Sequence, residues 1–322
     1  SFPATFRICE RTGHIMAFTA KDVQTLRERT GVGMMDCKKA LTETDGDMEK
    51  AIDILREKGL AAAAKKASRI AAEGLVYAAV DDAKKVGVVV EVNSETDFVA
   101  KNADFQAFVK AVADVIADKN PADVAALLAL PFEGGLTVAD ALRDKILVIG
   151  ENLSIRRFVR YEGDCVAYVH GGGRIGVLVR FEADAAASGS DALKECGKDV
   201  AMQIAALNAT YLNKESVPAA DIEKEKEILV AQIKNDPKNA NKPDAIVQKM
   251  VDGRIGKFYE NNCLMQQAFV KNGDLTVEQY VAECAKAAGG AMKVVDFVRF
   301  EKGEGLQKRE DDFAAEVAGM VK

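Results

Sequence analysis

A gapless internal repeat is the tightest constraint this chain places on its own fold. At a fixed offset of 89 residues, 73–92 aligns with 162–181. Glu73/Glu162, Gly74/Gly163, Ala78/Ala167, Val80/Val169, Gly87/Gly176, Val88/Val177 and Val90/Val179 are identical. Lys85/Arg174, Val86/Ile175 and Val89/Leu178 are close substitutions. Each copy reads as a strand, a polar turn and a buried β-branched strand, then a helix at 104–118 or 191–207. Two related ββα units predict a duplicated α+β core with antiparallel sheets.

The copies differ at one turn. After its buried strand the first runs Glu91-Val92-Asn93-Ser94-Glu95-Thr96-Asp97-Phe98-Val99-Ala100-Lys101, whereas the sister of Glu95–Phe98 is Asp184-Ala185-Ala186-Ala187. The bland account has Phe98 tucked onto the core at a sheet edge and Asp97 capping the next helix, since large apolar residues are mostly buried. A purely structural ring has less reason to be missing from the sister unit. Asp97-Phe98 is therefore a candidate site.

Before the repeat, Thr19 and Asp22 have capping-box spacing, and apolar residues at helical intervals predict three short helices ending at Gly59. Such a bundle is too small to enclose an active site and reads as a binding module. The Ala- and Lys-rich stretch 60–72 reads as a helical linker; Lys65-Lys66, with no aromatic interleaving, reads as a solvated face. His170-Gly171-Gly172-Gly173 lies between strands, so its glycines predict a hairpin turn rather than a phosphate loop, and His170 a surface position. From Val217 to Phe258 the apolar seams thin into a helical hairpin expected to project from the core, with ordinary packing on the core as the alternative. Val294–Phe300 alternates as a strand, and Phe313, Val317 and Met320 stripe a terminal helix that either docks back or clasps a partner. The first 15 residues lack periodicity and are read as a non-native leader.

Bulk properties exclude several functions. A net charge of −6 argues against nucleic acid as the main partner. Six scattered cysteines without Cys-x-x-Cys and only two histidines argue against a zinc site and favour free thiols in a reducing cytoplasm. No run of about 18 apolar residues predicts a membrane-spanning helix. No nucleophile–base pair suggests an enzyme, and no cofactor is expected.

The residues Leu26-Arg27-Glu28-Arg29-Thr30-Gly31-Val32-Gly33-Met34-Met35-Asp36-Cys37-Lys38-Lys39-Ala40-Leu41 closely resemble the N-terminal motif of the elongation factor Ts family, and 91–101 resembles its second motif. The resemblance runs from about Met16 to Lys322. It implies a guanine-nucleotide exchange factor for elongation factor Tu, working without covalent chemistry. A UBA-like bundle at 16–59 and the helix at 304–322 would grip the nucleotide-binding domain of that partner. Thr96, Asp97, Phe98 and Val99 would form a wedge near the bound magnesium. Lys38, Ile149, Gly150, His170, Phe313, Val317 and Met320 would fall at other interface positions. The core would comprise 73–150, 151–215 and 261–303, with the hairpin at 216–260 as an insertion and a possible surface for homodimerisation. A passive stabiliser of a GTPase and an RNA-binding chaperone are the weaker alternatives.

Overall fold

The computed structural model describes residues 18–239 and 241–308. The leader at 1–15 and the terminal stripe Phe313, Val317 and Met320 lie outside them. In chain order come α1 (Ala20–Thr30), α2 (Met34–Glu43), α3 (Met48–Lys66), β1 (Glu73–Asp81) and β2 (Val86–Ser94). Next are α4 (Asp97–Ala100), α5 (Ala103–Lys119), α6 (Val124–Leu128), α7 (Val138–Ile149) and β3 (Ser154–Glu162). Then follow β4 (Asp164–His170), β5 (Ile175–Ala183), α8 (Asp191–Leu207), α9 (Ala219–Asn235) and α10 (Asp244–Asn262). Last are β6 (Ala268–Phe269), β7 (Asn272–Thr276), α11 (Val277–Ala288) and β8 (Met292–Glu301). The class is α+β, and every pairing between these named strands is antiparallel.

Two compact units emerge, one from residues 18–69 and 131–153, the other from 70–130 and 154–308. In the first, Thr19 and Asp22 form the expected capping box, Gly31 ends α1 in the left-handed region, and Asp47 caps α3. Val23, Leu26, Cys37, Leu41, Ala51 and Leu55 make its core. The helix expected to stop at Gly59 instead continues to Lys66. Gly59 sits within the helix on the side facing α7, where a Cβ would meet Arg143 and Leu147 at ordinary contact distances. The Ala-rich sequence that follows has the propensity to propagate the helix. Residues 131–153, expected within the first core half, pack with these N-terminal helices, α7 lying against α3.

In the second unit, β1–β2–β3 and β4–β5–β8 form two three-stranded sheets. Val76, Val89, Cys165, Leu178 and Phe300 join them face to face. Helix α5 covers the outer face of the first sheet; α8 and α11 cover that of the second. The two copies of the repeat meet as pseudo-symmetric equivalents. A Cβ on Gly87 would lie 2.6 Å from Leu178 and 2.9 Å from Cys165. A Cβ on Gly176 would collide with Val76 and crowd Val89, the residues 89 positions earlier than Cys165 and Leu178. Both glycines are thus required by the close approach of the sheets.

The duplication also extends past its first two strands. β3 carries Phe158-Val159-Arg160-Tyr161-Glu162 and β8 carries Phe297-Val298-Arg299-Phe300-Glu301, at an offset of 139. At the same offset Thr137 and Thr276 both cap helices with capping boxes, and Gly150 and Gly289 both end them in the left-handed region. The offset grows by 139 − 89 = 50 residues because α9 and α10 intervene. These helices pack on one another through Leu229, Ile233, Val247 and Val251. The chain returns where it left: Leu264 N–H donates to Tyr211 C=O at 2.9 Å and Met265 N–H to Leu212 C=O at 3.0 Å.

Candidate functional site

Strand β2 is the central strand of its sheet and is buried along its whole length, so its C-terminal end is a rigid mount. Ser94 Oγ donates to Thr96 C=O at 2.8 Å, and Thr96 then opens the single turn of α4 from an extended conformation. Val99 faces inward and is buried, which fixes the opposite side of that turn toward solvent. Phe98 stands on that side and is 77% exposed. At the sister position Ala187 is fully buried, with its N–H bonded to Asp184 Oδ1 at 3.0 Å. The same place in the repeat thus holds a core residue in one copy and a solvent-facing ring in the other.

Asp97 does not cap the helix beginning near Asp104. Asn102 does, its Oδ1 accepting from Asp104 N–H at 2.8 Å and Phe105 N–H at 3.1 Å. Asp97 is itself exposed and pairs with Lys101 at 2.9 Å. That bond and the Lys101 charge hold the carboxyl below the usual aspartate range. The Lys101 ammonium also lies 5.8 Å from the Phe98 ring centroid. An acid, a cation and an aromatic ring are therefore grouped on one exposed helical turn. Beside them is a groove of about 430 Å³ lined by Ile70, Ala72, Glu73, Glu95, Thr96, Asp97, Phe98 and Lys308.

The root of this turn holds a group that sequence reasoning missed. Glu91 is fully buried. Its carboxylate accepts from Asn93 Nδ2 at 3.0 Å, Arg156 Nη1 at 3.1 Å, Arg157 Nε at 2.6 Å and the Gly303 N–H at 2.7 Å. Burial pushes its pKa up, but these donors outweigh burial and leave it below the usual glutamate value. The available signal was an acid interrupting a run of valines. In the sister copy the charges are exchanged: Arg180 stands at the place of Glu91 and Asp296 at that of Arg157. Arg157 lies over Phe300 at 4.2 Å and Arg180 over Tyr161 at 5.4 Å, and each strand carries its bulge at this point.

The remaining predicted residues divide between the units. Lys38 is exposed on α2, the helix that begins with the exposed Met34 and Met35. Ile149 is half-buried at the end of α7, and Gly150 is exposed as its left-handed cap. In the second unit His170 is exposed at the end of β4, its Nδ1 3.0 Å from Tyr168 Oη. The glycines after it take positive φ in a hairpin turn. Asp97 and His170 share no hydrogen bond, and no cluster of His, Cys, Asp and Glu suited to a metal ion occurs among the described residues. No helix among them is long and apolar enough to cross a membrane.

Comparison with known proteins places nearly the whole chain beside named relatives. A family model described as elongation factor TS matches residues 95–304. A protein named elongation factor Ts from Clostridium botulinum (strain Eklund 17B / Type B) is 52% identical over 306 residues, covering 94% of this chain and 99% of the relative. One of the same name from Clostridioides difficile (strain 630) is 52% identical over 307 residues, with the same coverage. Another from Trichlorobacter lovleyi is 51% identical over 312 residues, covering 95% of this chain and 99% of the relative.

Proposed function

The chain belongs to the elongation factor Ts family and serves translation elongation, and from that premise we propose that it releases GDP from elongation factor Tu by pressing the Asp97-Phe98 turn toward the magnesium and nucleotide site. The observation that carries this reading is a phenylalanine held 77% exposed on a turn braced by a fully buried strand. A ring left in water gains about 2–3 kcal/mol when it finds an apolar pocket. If that pocket exists only in the nucleotide-free conformation, the gain is differential. A nanomolar nucleotide corresponds to about 12 kcal/mol of binding free energy. By linkage, whatever factor the exchange protein takes from nucleotide affinity, the nucleotide takes from its own. Asp97 adds negative charge beside a site that holds a cation. The chemistry is wholly non-covalent.

Thr96 and Val99 complete the wedge, one opening the helical turn and the other anchoring it. Lys38, with Met34 and Met35 around it, supplies a partly apolar cationic contact from a UBA-like module. Ile149, Gly150 and His170 supply further contacts in the partner complex, as do Phe313, Val317 and Met320. The α9–α10 hairpin, with Ile228 and Ile246 exposed, is a surface for self-association. The site of action is the cytoplasm, and no nucleic acid is bound directly.

The test is release of fluorescently labelled GDP from elongation factor Tu. Phe98→Ala is expected to slow stimulated release by at least about tenfold, the loss of roughly 1.4 kcal/mol of differential binding, with the melting temperature unchanged. Release at the unaltered rate would reject the wedge. Complex formation without any acceleration by the native protein would reject exchange in favour of passive stabilisation.

A further inference from the structure

The Glu91 carboxylate touches neither the exposed turn nor any surface a partner could reach, yet five hydrogen-bond contacts from four residues converge on it. It lies at the crossing of three stretches of chain. Two residues further along β2, Asn93 binds both Glu91 and Glu73 C=O. From β3 come Arg156 and Arg157. From the turn after β8 comes the Gly303 N–H, and the same two arginines continue to Glu304: Arg156 to its carbonyl and Arg157 to its carboxylate at 3.2 Å. Lys302 closes the assembly on Glu73. Gly303 itself takes φ +69°, with its Cα against the Ala72 carbonyl so that a Cβ would collide there. The turn after β8 is thus fitted closely against the base from which Asp97-Phe98 projects.

A fully buried carboxylate with this many donors is more than the sheet requires. In the sister half the register partners at the same bulge are Arg180 and Asp296, in the reverse order of charge, and no comparable convergence of donors on a carboxylate forms there among the described residues. The exchanged arrangement, an arginine at position 91 facing an acid at position 157, would match the sister pair in charge, but an arginine cannot accept from the Gly303 N–H. Accepting that bond is what the acid adds.

We propose that Glu91 is a positioning residue for exchange: by accepting the Gly303 N–H while paired with Arg156 and Arg157, it latches the turn after β8 to the root of the Asp97-Phe98 turn and sets where the ring points. The proposal rests on the wedge reading for its functional consequence but not for its structural one. Glu91 does not bind the partner, so it governs how well the docked turn acts rather than how tightly the proteins associate.

Two variants test it. Glu91→Gln removes the charge, and Gly303→Ala displaces the latch from the far side without altering β2. In labelled-GDP release at increasing factor concentration, both are expected to lower the maximal rate by about tenfold or more, as for a reacting group displaced by a fraction of an ångström, with the half-saturating concentration changed less than about threefold. Should Glu91→Gln fail to fold, Gly303→Ala decides. The chain has no Trp, so Phe98→Trp places a sole indole reporter on the turn. The anisotropy and acrylamide quenching of that indole are expected to change when either latch variant is added. A folded latch variant with an undiminished maximal rate while Phe98→Ala is slow overturns this proposal and leaves the wedge standing. Unchanged indole anisotropy and quenching in both latch variants overturn it whatever Phe98→Ala does. Undiminished release by Phe98→Ala together with altered indole signals rejects the wedge while supporting the latch.

Discussion

At the scale of single residues, Phe98 and Glu91 show what kinds of side chain a sequence discloses. Phe98 stood out because an aromatic ring in a polar turn, absent from the sister repeat, is locally incongruous. Glu91 did not, because its meaning depends on Arg156, Arg157 and Gly303, which lie 65, 66 and 212 residues away. Its burial makes a pH prediction possible. The folded-state pKa is depressed, so the stabilisation is present above the ordinary glutamate value of 4.5 and is lost as pH falls through the lower folded value. Urea midpoints measured from neutral pH into the acid range are expected to fall below that value, and Glu91→Gln to flatten this part of the slope. At neutral pH the same variant is expected to cost about 3 kcal/mol, because two partly buried arginines lose their counter-charge. An unchanged acid slope would remove Glu91 as its source. Asp97 behaves differently: it is exposed, its partner Lys101 is exposed, and its titration carries no stability argument.

At the scale of elements, the ββα pattern was legible because strand alternation and a fixed offset of 89 reinforced one another. The third strand of each sheet escaped the same comparison although Phe-Val-Arg-Tyr-Glu and Phe-Val-Arg-Phe-Glu are nearly identical. A fixed offset cannot cross an insertion. The end of α3 differs from expectation for another reason: glycine is a reliable stop only where the backbone turns left-handed, as at Gly31 and Gly150, and Gly59 keeps the helical conformation within α3. Because any added Cβ there would meet Arg143, Leu147 and Asp144 at ordinary distances of 3.8–3.9 Å, Gly59→Ala is expected to stabilise the first unit. The gain should be about 0.5–1 kcal/mol, from the lower chain entropy lost on folding. A lowered midpoint in chemical denaturation would show that the α3–α7 contact is tighter than those distances imply.

At the scale of the whole molecule, the α+β class with antiparallel sheets could be read from pattern, whereas the partnership of α7 with the N-terminal helices could not. By repeat position α7 corresponds to α11, which packs on its own core; α7 packs on α3. Tertiary contacts decide between such choices, and two helices with the same capping signals carry no local mark of which they will make. The change of offset locates the 50-residue insertion near 213–262, and Tyr211 and Leu212 already bond Leu264 and Met265 across its base. Replacing that stretch by a short Gly-Ser link is therefore expected to leave one cooperative unfolding transition for the core, visible by circular dichroism. Its loss would show that α9 and α10 are structurally indispensable. The paired sheets also impose an order on synthesis. The first sheet is complete once Glu162 has been made, but its facing sheet lacks a strand until Glu301, 301 − 162 = 139 residues later. At about 5–20 residues per second, that interval lasts roughly 7–28 s. Throughout it the nascent chain holds an unfinished apolar interface, so how long that surface waits for its partner is written into the order of its strands.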